Sequence, residues 1–451
     1  MENLIREESK DLLSILRMIK HRKFEGNKGL AVKNSLYQLS TSLISKVGSL
    51  IFTIILARLL LPELFGLYSL ALSTILFFTC FADLGVGSAV IRFVSRIVEQ
   101  DQKKAKAYVD YLFKIKFLLS LLSAGLLAIL AKIIANNYYQ KPIFFALLAG
   151  SLYILLMGIG SFIEWLFQST NKFKYPFFKE IFFQLLRLAL VPTTVLFALK
   201  YSFSLNVSLF FIILALTFCY LLTLFFLFFI MKKKLSFLQI KKQTLSKSEK
   251  IQINKFILPL SFMAFSGVIF GYIDVIMLGR FVFSEFIGYY RAAFSLIVSA
   301  AAILNFTGAA LLPLFSRLKT DSLKKAFKKA VRISLFISIA GAIFVLIFAP
   351  FIIKIVYGQE YSFAAPVLRF FSLILISLPL TSLYNTYFTS ISKTKTIAIL
   401  SILATITNII LNYTFITIGM KMGMVQAITG AGIATVLSGY LYLGGLIISK
   451  V

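Results

Sequence analysis

Apolar runs, each closed by charge, Pro or Gly, recur along the whole chain and mark about twelve candidate spans. They fall at roughly 35–57, 66–90, 112–135, 143–167, 177–199, 205–230, 256–279, 287–312, 331–349, 364–390, 396–418 and 425–448. Each run is long enough to cross an apolar layer ~30 Å thick as a helix. The runs are too long for strands and lack the alternation of a membrane barrel, so helices are the reading that satisfies the backbone away from water. The stretch 231–255 is the longest polar segment between spans and divides them into two sets of six. The pattern therefore predicts an all-α integral membrane protein of about twelve transmembrane helices. Its predicted parts are a basic, amphipathic N-terminal segment (1–33), a six-helix bundle (34–230), a basic linker (231–255) and a second six-helix bundle (256–451).

Composition sharpens this reading. Of 451 residues 59% are hydrophobic and only 14% charged, with a mean hydropathy of +0.91. No soluble core of this length hides so much apolar surface, which excludes a soluble enzyme, a nucleic-acid-binding domain and a secreted disulfide scaffold. The net charge of +30, from 47 Lys+Arg against 17 Asp+Glu, is explained by where the cations sit. Alternate loops carry about 36 of them and the intervening loops about seven, namely Arg58, Lys132, Lys141, Lys200, Arg280, Lys354 and Lys421. By the positive-inside rule both termini are expected in the cytoplasm, and the basicity reports topology rather than a nucleic-acid partner. Leu12, Ile15, Leu16 and Ile19 recur at helical spacing among basic residues, as in a helix on the inner membrane surface or an ordinary cytoplasmic flank. The first apolar run is a full span, so no cleavable signal is expected. Cys80 and Cys219 lie in apolar runs, where a thiol behaves as a small hydrophobe. With His21 the single histidine, no metal site, cofactor or catalytic cluster is expected.

The two halves resemble each other. A shift of 222 aligns ARLLLPELFGLYSLAL (57–72) with GRFVFSEFIGYYRAAF (279–294), placing Arg58 on Arg280, Glu63 on Glu285, Gly66 on Gly288 and Tyr68 on Tyr290. It also sets Asp83 opposite Asn305. Six spans return the chain to its starting side, so the repeat is parallel, and such halves pack about a central cavity as in a rocker-type transporter. The motif suits a short external turn, with Arg and Glu facing solvent, Gly easing the start of the next helix, and Tyr at the membrane interface.

LARLLLPELFGLYSLAL followed by FADLGVGSAVIRF (81–93) resembles the start of the polysaccharide-biosynthesis flippases. These are the Wzx-like O-antigen and oligosaccharide translocases of the multidrug/oligosaccharidyl-lipid/polysaccharide (MOP) exporter superfamily. DVIMLGRFVFSEFIGYYRAAFSL (274–296), LLPLFSRL (311–318), FAPFIIKIVYGQEYSFAAPVLRFFSL (348–373) and GAGIAT (430–435) are similar to that family's second-half signatures, in the same order. The resemblance covers nearly the whole chain after residue 30. It implies two helix bundles around a central cavity, carrying a polyprenyl-pyrophosphate-linked oligosaccharide across a prokaryotic inner membrane for polysaccharide export. It also implies pathway partners, glycosyltransferases or a polymerase, while a monomer suffices for the fold. Many relatives have fourteen spans against the twelve expected here, which leaves open any lipid groove their last two spans build.

A charge inside a span costs several kcal/mol and should face a cavity, a partner or the interface. Counted at 1.5 Å per residue, Lys46 in span 1 and Arg187 in span 5 lie roughly 15 Å from the inner end, near the midplane. Arg291 in span 8 and Arg369 in span 10 sit one or two turns below the outer surface, where snorkelling is the alternative. A lipid pyrophosphate needs guanidinium or ammonium donors once stripped of water, so Lys46, Arg187, Arg291 and Arg369 are the candidate substrate-binding residues. Among the acids, Asp83, Glu164 and Asp274 are candidates to bind a coupling cation or proton. The alternative for each is a local partner: Arg92 for Asp83, Lys172 for Glu164, Arg291 for Asp274. Glu180 is expected at the interface. Pro192 and Pro379 are candidate hinges or static kinks. A multidrug exporter of the same superfamily is the nearest rival function, but a pump for organic cations should line its cavity with carboxylates. A polyprenyl-linked glycan polymerase or ligase needs a sizeable external loop with acidic or His residues. The outer loops here are short, so the chain is not expected to be an enzyme.

Overall fold

The computed structural model describes residues 26–241, 243–315, 320–391 and 393–450. The candidate surface helix at 12–19 lies outside them. All described elements are helical. In chain order they are α1 (Gly26–Asp83), α2 (Val86–Ile97), α3 (Gln102–Lys132, continued by a π-helical turn Ile133–Tyr139), α4 (Phe144–Ser169), α5 (Lys174–Lys200) and α6 (Leu205–Lys234). After a 3₁₀ turn at Ser236–Gln239 come α7 (Lys247–Phe281), α8 (Ser284–Phe315), α9 (Thr320–Val356), α10 (Ala364–Phe371), α11 (Ile374–Ser390), α12 (Thr394–Met422) and α13 (Met424–Ile448).

Eleven stretches are long and apolar enough to cross a membrane, and the first, Val32–Asp83, runs for 52 residues. As one straight helix it would extend about 78 Å, over twice the thickness of the apolar layer. It is broken at Leu61, whose φ of 58° and ψ of 172° are not helical. Leu61 precedes Pro62, and the pyrrolidine ring drives the residue before it out of the α region. Each arm is about one membrane thickness long, so the described residues hold twelve crossings. The second predicted span ends earlier than the apolar run suggests. Leu84 (φ 40°) and Gly85 (φ 81°) stop α1 after Asp83. The apolar residues that follow belong to α2, which buries Val86, Ala89, Val90 and Val94 and leaves Arg92 and Arg96 exposed. The tenth predicted span, 364–390, is two helices, α10 and α11. Pro192 and Pro379 are buried within α5 and α11 without interrupting either.

Helices α1–α6 form one lobe and α7–α13 the other, and the second arm of α1 packs along α8 between them. At the cation-poor end the lobes are joined by contacts that obey the sequence repeat. The 222-residue shift carries Ala57 onto Gly279, Pro62 onto Ser284 and Tyr139 onto Tyr361 as well as Arg58 onto Arg280 and Gly66 onto Gly288. Arg58 donates to the carbonyls of Ile355 and Val356 (Nε···O 2.8 Å for the latter), at the end of α9. Arg280 donates to the carbonyl of Tyr138 over 2.8 Å, at the end of α3. Each arginine thus caps orphan C-terminal carbonyls of the opposite lobe's third span, where a cation also complements the helix dipole. Tyr361 donates to the carbonyl of Ala57 (2.8 Å), and its equivalent Tyr139 lies against Gly279, where a Cβ would come within 2.6 Å of the ring. A Cβ on Gly66 would stand 1.7 Å from Ser284 O, and one on Gly288 2.2 Å from Pro62 O.

Arg58, Glu63 and Arg280 are exposed, as expected of an external turn, but the motif also joins the lobes. Its arginines bridge the lobes, its glycines admit the other lobe's backbone, and Tyr68 and Tyr290 are 4% and 0% exposed rather than interfacial. At the cation-rich end the α2–α3 elbow holds the start of α7. Lys104 pairs with Glu249 at 2.7 Å, Tyr111 donates to Asn254 at 3.2 Å, and Arg92 lies over the Phe256 ring at 4.3 Å.

Candidate functional site

Helix α5 carries Lys179, Glu180, Gln184 and Arg187 at a spacing that sets them along one side, and this polar stripe runs through an otherwise apolar span. Lys179, Glu180 and Gln184 are buried, and Arg187, near the middle of α5, is half-buried. Lys179 reaches Glu164 of α4 at 2.9 Å and Glu180 at 3.4 Å. Glu180 accepts from Gln184 Nε2 at 2.7 Å, and Gln184 Oε1 accepts from Arg187 Nη2 at 2.6 Å. Arg187 Nη2 also donates to Ser49 Oγ of α1 at 3.2 Å, and the guanidinium lies over Phe52 at 4.3 Å. Both carboxylates are taken by Lys179, so Arg187 makes no ion pair among the described residues, and its Nε is buried without a hydrogen-bond partner. A guanidinium with an orphan donor in a low-dielectric span is poised for an anionic oxygen.

Arg291 approaches from the other lobe. It is half-buried, with its guanidinium 5.6 Å from the centre of the Phe294 ring. Tyr68 lies within electrostatic reach of both Arg187 and Arg291. Tyr153 is within reach of Arg187 and of Tyr272, and Tyr272 of Arg291. Tyr68 belongs to the repeated motif. Lys46 stands apart from this group, exposed on α1 one turn before Ser49 and without an ion pair among the described residues. Arg369 is exposed on α10, also apart.

The acids find partners that differ from the local ones expected. Asp83 faces not Arg92 but Lys116, at 3.7 Å. That lysine is buried and packs over the Trp165 ring at 4.7 Å. Glu164 pairs not with Lys172 but with Lys179, and Lys172 instead donates to the carbonyl of Lys234. Glu180 is buried rather than interfacial. For Asp83 and Glu164 helix packing brings a cation from a neighbouring span closer than the local one expected from sequence.

Asp274, 4% exposed, has no cation partner at all among the described residues. Its Oδ2 accepts from Tyr290 (2.7 Å) and Thr435 (2.5 Å), and its Oδ1 from Asn412 Nδ2 (2.7 Å). Asn408 donates to Ser438 at 3.0 Å, and the Oδ1 atoms of Asn408 and Asn412 are buried without partners. A buried carboxylate held by donors alone is a group on which a proton or a hard cation would relieve buried negative charge. The repeat exposes an asymmetry: the shift that carries Tyr68 onto Tyr290 carries Phe52, beneath Arg187, onto Asp274. One scaffold position is therefore a ring beneath a guanidinium in the first lobe and a buried carboxylate in the second. Sequence reasoning overlooked Lys179, Gln184, Tyr68, Asn408, Asn412 and Thr435. The signal was present, since Glu180–Gln184–Arg187 and Asn408–Asn412 are polar residues one turn apart inside apolar runs.

The family described as "Polysaccharide biosynthesis protein" matches residues 31–319, and the family described as "MatE" matches residues 259–414. No curated protein sequence matches the chain. Among solved structures, the lipid II flippase MurJ in an inward closed conformation superposes with a TM-score of 0.72 at 17% identity, over 92% of this chain and 87% of that one. An inward-facing multidrug resistance MATE family transporter of the MOP superfamily gives 0.62 at 16% identity, over 92% and 94%. A MOP superfamily transporter from Pyrococcus furiosus, described as having a binding pocket of reversed polarity, gives 0.56 at 15% identity, over 95% and 96%. These likenesses establish the MOP transporter fold.

Proposed function

Because this chain belongs to the polysaccharide biosynthesis protein family, we propose that it is a flippase moving a polyprenyl-pyrophosphate-linked oligosaccharide from the inner to the outer leaflet. The observation that carries the reading is Arg187, a guanidinium inside a span with no carboxylate of its own and a buried, unpaired Nε. Arg291 stands across from it in the other lobe, with Tyr68 in reach of both. A guanidinium in each lobe suits a diphosphate, whose several acceptor oxygens can be bound in turn as the lobes move.

In the mechanism, the cation-rich end faces the cytoplasm and both termini lie there. With the lobes parted at that end, Lys46 at the exposed edge of α1 draws in the head group and Arg187 takes it. The glycan occupies the space between the lobes while the prenyl tail stays in the bilayer. Closure of the α2–α3 elbow on α7 and release of the Arg58 and Arg280 caps then turn the site outward. Arg291 and, nearer the exit, Arg369 receive the head group. Asp274 supplies the coupling: a proton or cation binding to it changes the charge of the second lobe, which biases one packing of α7, α12 and α13 over another. Glu164 is paired with Lys179 at 2.9 Å and Asp83 faces Lys116 at 3.7 Å, whereas Asp274 has no cation partner among the described residues, which favours it among the three candidates.

The test is reconstitution with a labelled polyprenyl-pyrophosphate oligosaccharide, following its appearance in the opposite leaflet with and without an ion gradient. Arg187→Ala should abolish the transfer and Arg291→Ala reduce it strongly. Transfer at the normal rate by both variants would overturn the reading. The MatE match over residues 259–414 and the buried carboxylate of Asp274 in that lobe favour a second reading, export of a soluble organic compound. Transport of such a compound in place of the lipid would establish it.

A further inference from the structure

Gln184 sits between the acid–base pairs of the first lobe and Arg187, and both ends of its amide are used. Nε2 donates to Glu180 at 2.7 Å, and Oε1 accepts from Arg187 at 2.6 Å. Nε2 also lies 3.5 Å from the carbonyl of Ser45 on α1. The orientation of the amide is therefore dictated. Glu180, itself held by Lys179 and accepting only, fixes the donor end, so the acceptor end must face Arg187. The helix opposite makes room for this arrangement. A Cβ on Gly48 of α1 would stand 2.6 Å from Gln184 Oε1 and 2.7 Å from its Cδ. Gln184 thus occupies a notch that any larger side chain at residue 48 would fill.

Its neutrality matters as much as its geometry. An acid at this position would pair with Arg187 and cancel the charge that an anionic ligand needs. An apolar residue would leave an arginine with many rotamers and one fewer anchor. We propose that Gln184, seated against Gly48, is the positioning residue that aims the Arg187 guanidinium while keeping its charge unspent, and so sets the affinity of the site for a pyrophosphate group. The inference rests on the anion-binding reading of Arg187 and assigns Gln184 no contact with ligand.

The experiment is binding of farnesyl pyrophosphate to the full chain in lipid nanodiscs. Gln184→Met keeps the volume and removes the acceptor, and affinity should fall about 10- to 150-fold, the worth of one charge-assisted hydrogen bond. Gln184→Glu should bind more weakly still at neutral pH and recover as acidification protonates the introduced carboxyl, a pH response absent from the natural protein. Gly48→Ala, which displaces the amide without removing it, should weaken binding in the same direction and serves if the Gln184 variants fold poorly. Unchanged affinity in Gln184→Met and Gly48→Ala, or loss in Gln184→Glu that acidification leaves in place, overturns the inference. Arg187→Ala separates the two levels. If it loses binding while the Gln184 variants keep it, the positioning role falls and the anion site stands; if it binds normally, the anion site itself falls.

Discussion

The reciprocal close approach of Gly66 and Gly288 yields the sharpest prediction. In Gly288→Ala the new Cβ would stand 2.2 Å from Pro62 O and 3.0 Å from Pro62 C. An ordinary carbon–oxygen contact is roughly 3.3 Å, so the α1 turn and α8 must separate by about 1 Å, and no side-chain rotation relieves a clash with backbone. Overpacking of this kind costs about 1–3 kcal/mol. The clash belongs to the state with the cation-poor end closed, so this energy shifts the closed-to-open ratio there by about 5- to 150-fold. The reporter is Phe65→Cys, in a background with Cys80 and Cys219 replaced by Ser. Phe65 is 1% exposed and lies against the Tyr361 ring of the other lobe at 6.1 Å, so a thiol there reacts only when the lobes part. A membrane-impermeant maleimide added from outside should label it at least fivefold faster when Gly288→Ala is present. Equal labelling rates and equal melting temperatures with and without the substitution would refute the claim that these glycines seal the cation-poor end.

Four further outcomes follow from the same structure. Arg58→Ala combined with Arg280→Ala uncaps the ends of α9 and α3, and should raise outside labelling of Phe65→Cys in the same direction as Gly288→Ala, each arginine contributing about 1 kcal/mol. Asp274→Asn should leave the protein folded but make leaflet transfer insensitive to the ion gradient; a gradient response equal to that of the natural protein would remove Asp274 from the coupling role. Glu164→Gln leaves the buried Lys179 with only the longer contact to Glu180, and should lower stability by about 3 kcal/mol, read as a lower detergent melting temperature, which Lys179→Met in the same chain should partly restore. Glu249→Gln breaks a partly exposed pair with Lys104 and should change stability by less than about 1 kcal/mol, its effect appearing instead as faster labelling of a cysteine at Asn254 from the inner side.

What the sequence determined alone is the class and the plan: helical spans, their number, the basic loops, the repeat, and the presence of charges where lipid forbids idle ones. These follow from one-dimensional rules, because a backbone in an apolar layer has few ways to satisfy its hydrogen bonds and a charge there has few places to go. Even the break at Leu61 is written locally, in the proline that follows it. Tertiary structure decided who meets whom. Asp83 and Glu164 took Lys116 and Lys179 from other spans because neighbouring helices stand closer than residues a few turns away along one chain. Arg58 and Gly66 read as parts of a loop until the second lobe's backbone is seen against them. The repeat told that two halves are alike, but only packing reveals that Phe52 lies beneath the Arg187 guanidinium in one lobe while its equivalent, Asp274, is a buried carboxylate in the other. Electrostatic partnership depends on distance through space, and that distance is set when helices pack.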